Sequence, residues 1–144
     1  MLCRPLFTDG RSKERGMYPK EYLYTKEHEW IKRDGAQAVI GITLYAQKQL
    51  GDIVFVELPS PGKKFETGKP FGSVESVKAV SEIYAPVSME VIEVNQDVAQ
   101  RPELINEDAH DKGWLIKVKT SNEADFEGLL SADEYEQLIA QDQH

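Results

Sequence analysis

The chain has 144 residues, 25 acidic against 17 basic side chains, and a formal net charge of −8, a length that suits one domain. The acidic balance excludes the basic footprint of a non-specific nucleic-acid binder, and no apolar run approaches the ~18 residues of a membrane span. Cys3 is the only cysteine, which excludes an internal disulfide and a redox pair within the polypeptide.

Residues 1–16 are polar, carry Arg4, Arg11, Lys13 and Arg15, and show no periodicity. An upstream start, a leftover tag and a short transit-like segment are the competing readings. Asp9 and Glu14 weigh against the last, because transit peptides are poor in acids. The reading adopted is a flexible extension of residues 1–16 ahead of one domain over 17–144. Trp30 and Ile31 are candidate core residues, and His28 reads as a structural hydrogen-bonding group. Asp34-Gly35 signals a hairpin between Trp30–Arg33 and Ala38–Thr43. Gly41 in the second strand suggests a bulge or a close backbone approach. Thr43 can N-cap a short helix over 44–50 that Gly51 closes, with Leu44 and Leu50 turned inward. A strand over Asp52–Leu58 follows, and Pro59-Ser-Pro-Gly62 stops it.

Lys63–Lys69 reads as a loop with a short strand, and Gly68 turns the chain into Phe71. Ala85–Val94 reads as one strand broken near Ser88–Met89, Asn95-Gln-Asp as a turn, Arg101–Asn106 as a polar loop with a short buried piece, and Trp114–Lys119 as a half-buried strand. Near 131–141 the pattern predicts a C-terminal helix. Ser131 N-caps it, Glu134 completes a capping box, and Tyr135, Leu138 and Ile139 share one face. Strand, polar link and strand over Asp52–Ser76 are echoed over Met89–Lys119. Two such halves would wrap into a flattened barrel of two sheets.

Between the halves lies Val74-Glu-Ser-Val-Lys-Ala-Val-Ser-Glu-Ile83, nearly a palindrome about Lys78–Ala79. Val74, Val77, Val80 and Ile83 recur every three residues, a spacing a helix could also use. The β-branched content, Gly72 before and Pro86 after favour strands, so a hairpin is predicted with Lys78 at the tip. The mirror would place Val77 opposite Val80, Ser76 opposite Ser81, Glu75 opposite Glu82 and Val74 opposite Ile83. Glu75 facing Glu82 would cost roughly 0.2–1 kcal/mol. Lys-Ala lacks the positive φ of primed hairpin turns, so a type I geometry is expected. Three isolated histidines have no metal-ligand spacing, and neither a phosphate-binding glycine loop nor a nucleophile elbow is present. A carrier or binding module therefore fits better than an enzyme.

Glu75–Glu82 resembles the lipoyl-attachment segment of the H proteins of the glycine cleavage system. Tyr24-Thr-Lys-Glu-His-Glu-Trp30, Ile40-Gly-Ile-Thr43, Leu50–Pro59, Phe71-Gly-Ser-Val74 and Gly113–Lys119 resemble that family in its order, so the similarity spans roughly Tyr18–Ile139. The resemblance implies a mostly β, lipoyl-domain-like barrel-sandwich hybrid of two antiparallel sheets. It implies lipoic acid joined to Lys78 and a non-catalytic carrier. The aminomethyl group of glycine would pass from the pyridoxal-phosphate glycine decarboxylase (P protein) to the tetrahydrofolate-dependent aminomethyltransferase (T protein). Dihydrolipoamide dehydrogenase (L protein) and lipoate-attaching enzymes are the other implied partners.

On the same basis Glu29 and Glu82 would meet the amine in a cleft, and Glu75 would belong to the pattern that lipoylating enzymes read. The expected chain is monomeric, without nucleic-acid or membrane partners, in the bacterial cytoplasm or, for a eukaryotic source, the mitochondrial matrix. Gln49 stands where some members have histidine. Met89 departs from the family's glycine eleven residues after the lysine; strain there, or obstruction of a ligase by its side chain, would slow modification. Lipoyl carriage for other enzymes, biotin carriage and a structural sandwich are the alternatives.

Overall fold

The computed structural model describes residues 18–142; the expected extension over 1–16 lies outside the described residues. In chain order the elements are β1 (Leu23–Tyr24), β2 (Glu29–Asp34), β3 (Gln37–Ile42), α1 (Leu44–Leu50), β4 (Ile53–Glu57), β5 (Lys64–Phe65), β6 (Pro70–Ser76) and β7 (Val80–Tyr84). Then come β8 (Met89–Val94), α2 (Gln96–Gln100), α3 (Leu104–Glu107), β9 (Ile116–Thr120), a 3₁₀ turn over Glu123–Gly128, and α4 (Ala132–Asp142). The strands form two antiparallel sheets, one in the order β1-β2-β3-β9-β8-β5 and the other β4-β6-β7. The sequence echo is structural: β4 pairs with β6 in the small sheet, and β8 with β9 in the large one.

The main core lies between the sheets and contains Ile31, Ile40, Val74, Ile83, Val87, Met89, Val91, Leu115 and Val118. A second, aromatic core joins Tyr18, Tyr22, Tyr24, Trp30, Tyr45 and Tyr135. Alternation along β2 serves both, since Ile31 faces the sheets' interior and Trp30 the aromatic cluster. Tyr24 and Tyr135 stack at 4.9 Å, and Tyr22 stacks on Trp30 at 4.8 Å. Ring pairs at these distances add to area burial. The capping box of α4 forms as predicted: Ser131 N donates to Glu134 Oε1 at 2.9 Å, and Glu134 N to Ser131 Oγ at 3.2 Å. Thr43 caps α1 by accepting from Ala46 N, and Gly51 closes it at φ 82°. Leu44 and Leu50 turn inward as expected, partly buried against the aromatic and the main core, and Tyr45 is buried most fully.

Several expectations shift. The first hairpin loop is Gly35-Ala36 with Asp34 paired to Gln37, one residue later than predicted. Gly35 at φ 63° supplies the positive angle that a II′ turn needs in first position. Ala85–Ser88 is a bend between sheets, not a strand, and β8 starts at Met89. The expected turn at Asn95 opens a helix: Asn95 Oδ1 accepts from Asp97 N, while its Nδ2 donates to the carbonyls of Lys112 and Trp114. Within Arg101–Asn106 the buried piece is the start of α3, with Leu104 and Ile105 inside. Met89 has no positive φ, because His28 is the only non-glycine with one among the described residues. Its side chain is buried in the main core. It is thus neither strained nor on a surface that a modifying enzyme could approach.

Candidate functional site: a lysine on a fastened turn

β6 and β7 form the predicted hairpin, but its register differs from the mirror by two. Glu75 pairs with Val80, Val74 with Ser81, Ser73 with Glu82 and Gly72 with Ile83. Glu75 and Glu82 are therefore not opposed, and the like-charge cost expected of them does not arise. The shift moves no side chain to the other face, because it is an even number. Ser76 decides between the registers. Its N–H donates to the Ala79 carbonyl at 2.8 Å, and its Oγ accepts from Lys78 N at 3.2 Å and Ala79 N at 3.0 Å. Serine makes such local turns with its hydroxyl, and this one leaves Val77 and Lys78 as the loop. Neither has a positive φ, so the turn is not primed, as expected.

The tip also rests on the body of the domain. Val77 N donates to the Asp52 carbonyl at 3.1 Å. Asn106 holds the supporting segment from both sides, accepting from Ile53 N at 2.9 Å and donating to the Gly51 carbonyl at 2.9 Å. A Cβ placed on Gly51 would lie 3.7 Å from Lys78 Cε, so the lysine stem passes over that glycine. Lys78 itself is exposed. Sequence reasoning missed Asn106; the only trace is an amide side chain at the end of a short apolar piece.

Glu29 and Glu82 bind opposite ends of Tyr84, Glu29 its backbone N–H and Glu82 its hydroxyl. Glu29 is buried. Thr25 Oγ1 donates to its Oε1 at 2.7 Å, and Tyr84 N donates to its Oε2 at 3.0 Å. Burial pushes its carboxyl up to about 7; the two hydrogen bonds oppose that, and the charge of Glu27 adds to it. Glu82 is exposed and accepts from the Tyr84 hydroxyl at 3.5 Å. Glu75 is exposed and separate from them, in a row with Phe55 on β4 and Val80 on β7. Gln49 is exposed at the end of α1. Among the described residues no cluster of three histidine, cysteine or acidic side chains could hold a metal.

A two-sheet sandwich that holds up one exposed lysine on a fastened hairpin turn defines a carrier-type domain. The glycine cleavage H-protein family model matches residues 22–142. The glycine cleavage system H protein of Herpetosiphon aurantiacus is 60% identical over 121 residues, covering 84% of this chain and 92% of that one. That of Carboxydothermus hydrogenoformans is 56% identical over 124 residues, covering 86% and 95%. The crystal structure of a glycine cleavage system H protein from Mycobacterium marinum superposes with a TM-score of 0.75 at 36% identity, over 88% of this chain and 99% of that one. The chain belongs to the glycine cleavage H-protein family.

Proposed function

We propose that the chain is the lipoyl carrier of a glycine cleavage system, with lipoic acid held as an amide on Lys78 Nζ. The observation that supports this is the exposed lysine at the end of a turn tied down by Ser76, Asp52 and Asn106. An attachment lysine must be reachable by several enzymes and yet start from a fixed point, and this turn satisfies both. When bound, the lipoyl group supplies a dithiolane whose reduced form offers two thiols for an aminomethyl group. The chain's own residues then bind and position. Ser76 and Asn106 fix the tip. Glu75 marks it for lipoate-attaching enzymes. Glu29 and Glu82, joined through Tyr84, are the acids that the amine of the cargo would meet. Burial raises the Glu29 carboxyl to about 7, and a protonated amine beside it would favour its ionised form.

In this reading the P protein loads the carrier, the T protein unloads it, and the L protein restores it. The chain has no turnover of its own and works as a monomer in the bacterial cytoplasm. Among the described residues no helix is long and apolar enough to cross a membrane. Residues 17–144 are the carrier domain, and 1–16 are dispensable to it.

Intact mass tests the reading. Incubated with a lipoate ligase, lipoate and ATP, the chain should gain about 188 Da, the increment of an amide-linked lipoyl group. Lys78→Arg should gain nothing, since arginine keeps the charge but offers no acylable amine. Lipoyl mapped to another lysine, or found on Lys78→Arg, overturns the assignment.

A further inference from the structure

Among the described residues nothing covers the outer face of the small sheet, and its composition is unusual. In register across the three strands run Phe55, Glu75 and Val80, and two residues further along run Glu57, Ser73 and Glu82. Phe55 is 54% exposed, Val80 66% and Val77, in the turn beside Lys78, 70%. A bulge in β4 between Ile53 and Phe55 produces this. The bulge sends Ile53 and Val56 inward and turns Val54 and Phe55 out, a means by which strands re-aim a side chain near functional sites. The echo strand gives an internal comparison. β8 has a bulge between Val91 and Glu93, and there the residue after the bulge is Glu93, ion-paired to Lys117 at 3.6 Å. At the matching step beside the lysine stands a phenylalanine opposite a glutamate. The strands β4, β6 and β7 hold three glutamates and no lysine or arginine. Phe55 and Val80 flank Glu75 on the central strand, and Glu57 and Glu82 lie two residues on along the edge strands. Exposed apolar side chains interleaved with acids of one sign have the composition of a protein-docking surface, and the complement is an apolar surface that carries basic groups.

We propose that this face, centred on Phe55 and Val80, is where a lipoate-attaching enzyme docks; the proposal rests on the carrier reading above. Reach selects this partner. The unmodified lysine has only its four-carbon stem, so the enzyme that acylates it must bring its active site against the turn. It therefore covers the residues next to the turn on the same face. Enzymes that act on the finished arm can stand further off. In the step itself, neutral Lys78 Nζ attacks the acyl carbon of a lipoyl adenylate. The amide N–C bond forms, the C–O bond to phosphate breaks, AMP leaves, and the nitrogen loses a proton.

The test measures initial rates of lipoyl transfer from lipoate and ATP by a purified lipoate ligase, read by intact mass, with Tm recorded for each chain. Phe55→Gln should lower kcat/KM at least tenfold, chiefly through KM, and Val80→Thr severalfold. Ile92→Gln replaces the exposed bulge residue of the other sheet and should stay within twofold. Glu57→Gln should weaken the salt dependence of kcat/KM, as loss of a rim charge does. All four side chains are exposed, so Tm should stay within a few degrees. Wild-type rates for Phe55→Gln and Val80→Thr overturn the proposal alone. So does a Phe55→Gln chain that is modified normally but fails with the P or T protein, which assigns the face to those enzymes. A wild-type chain that gains no lipoyl mass overturns the carrier reading as well.

Discussion

The two sheets treat their outer faces differently. The large sheet is covered at its β1–β3 end. There Tyr24 and Trp30 meet Tyr18, Tyr22, Tyr135 and Ile139, and α4 closes over them. The small sheet has nothing over its outer face among the described residues, and leaves Val54, Phe55 and Val80 at least half exposed. What the two echoed halves share is an inner face, built from the same β-branched alternation. The second core is built outside the echo, on β1, β2 and α4. The outer face of the first half became the surroundings of Lys78, and that of the second stays exposed at Ile92 and Glu93. Burial stabilises, so the large sheet should carry most of the domain's stability. The small sheet should tolerate change at its surface while remaining intolerant at its backbone.

The largest expected effect contrasts Met89 with Phe55, large apolar residues of opposite exposure on the two sheets. Met89 is 3% exposed and Phe55 54%. Met89→Gly removes a buried side chain and adds backbone entropy, for a loss of about 4 kcal/mol. Phe55→Gln should move stability by less than about 0.5 kcal/mol. Urea unfolding of both variants decides it, and comparable losses would erase the distinction between the faces. At a temperature where both are folded, Met89→Gly should be lipoylated at the wild-type rate, because buried Met89 presents no surface to the enzyme.

A glycine in each sheet gives the next comparison. A Cβ on Gly72 would come within 2.4 Å of the Glu57 carbonyl oxygen; on Gly41 it would come within 2.7 Å of the Trp30 ring. Overpacking of this kind typically costs 1–3 kcal/mol. Gly72→Ala should lie near the upper end, about 3 kcal/mol, because the obstacle is backbone of the adjacent strand. Gly41→Ala should cost about 2 kcal/mol. Trp30 is anchored by its Nε1 donating to the Ala109 carbonyl at 2.9 Å and by Tyr22 stacked on it, yet it remains a side chain. Thermal melts in which Gly41→Ala is clearly the worse would mean that the indole is more rigidly held than the β4–β6 pair.

Close approach at Gly41 was legible in the sequence, and so were the strands from β2 onward apart from the start of β8, the two capped helices and the lysine at the tip. These depend on local chemistry: a threonine before a helix, a serine three residues before a glutamate, β-branched runs between turn residues. The hairpin register was not legible, because a palindrome allows two even-shifted pairings and only the Ser76 hydroxyl chooses between them. The helices α2 and α3 were missed because four or five residues span little more than one turn and cannot show a repeating period, and Asn95 looks the same as a turn residue or as a cap. Asn106 and the burial of Glu29 were invisible for a different reason. Their partners, Gly51 with Ile53 and Tyr84, lie 53 to 55 residues away in the chain, and no spacing rule reaches that far.

The last effect is a slope, at most about 1.4 kcal/mol per pH unit, and it separates Glu29 on the large sheet from Glu82 on the small one. Glu29 is pushed up from 4.5 to about 7, first by burial. Below pH 4.5 it is protonated whether the chain is folded or not. Between 4.5 and 7 the folded chain holds a proton that the unfolded chain has released. Stability therefore falls as pH rises through that window, by up to about 1.4 kcal/mol per unit, and flattens above it. Glu29→Gln cannot ionise, so its stability should lose this component; relative to wild type it should gain as pH rises, to roughly 3 kcal/mol in total from the 2.5-unit difference. The substitution leaves the Thr25 hydroxyl and Tyr84 N–H with one acceptor oxygen instead of two, which lowers its curve by a constant that does not vary with pH. Glu82→Gln, at an exposed carboxylate, should run parallel to wild type. Urea unfolding at half-unit steps from pH 4.5 to 7.5 measures all three curves. If wild type and Glu29→Gln run parallel between pH 5 and 7, Glu29 is ionised in the folded chain throughout, and the large sheet holds a buried charge rather than a proton.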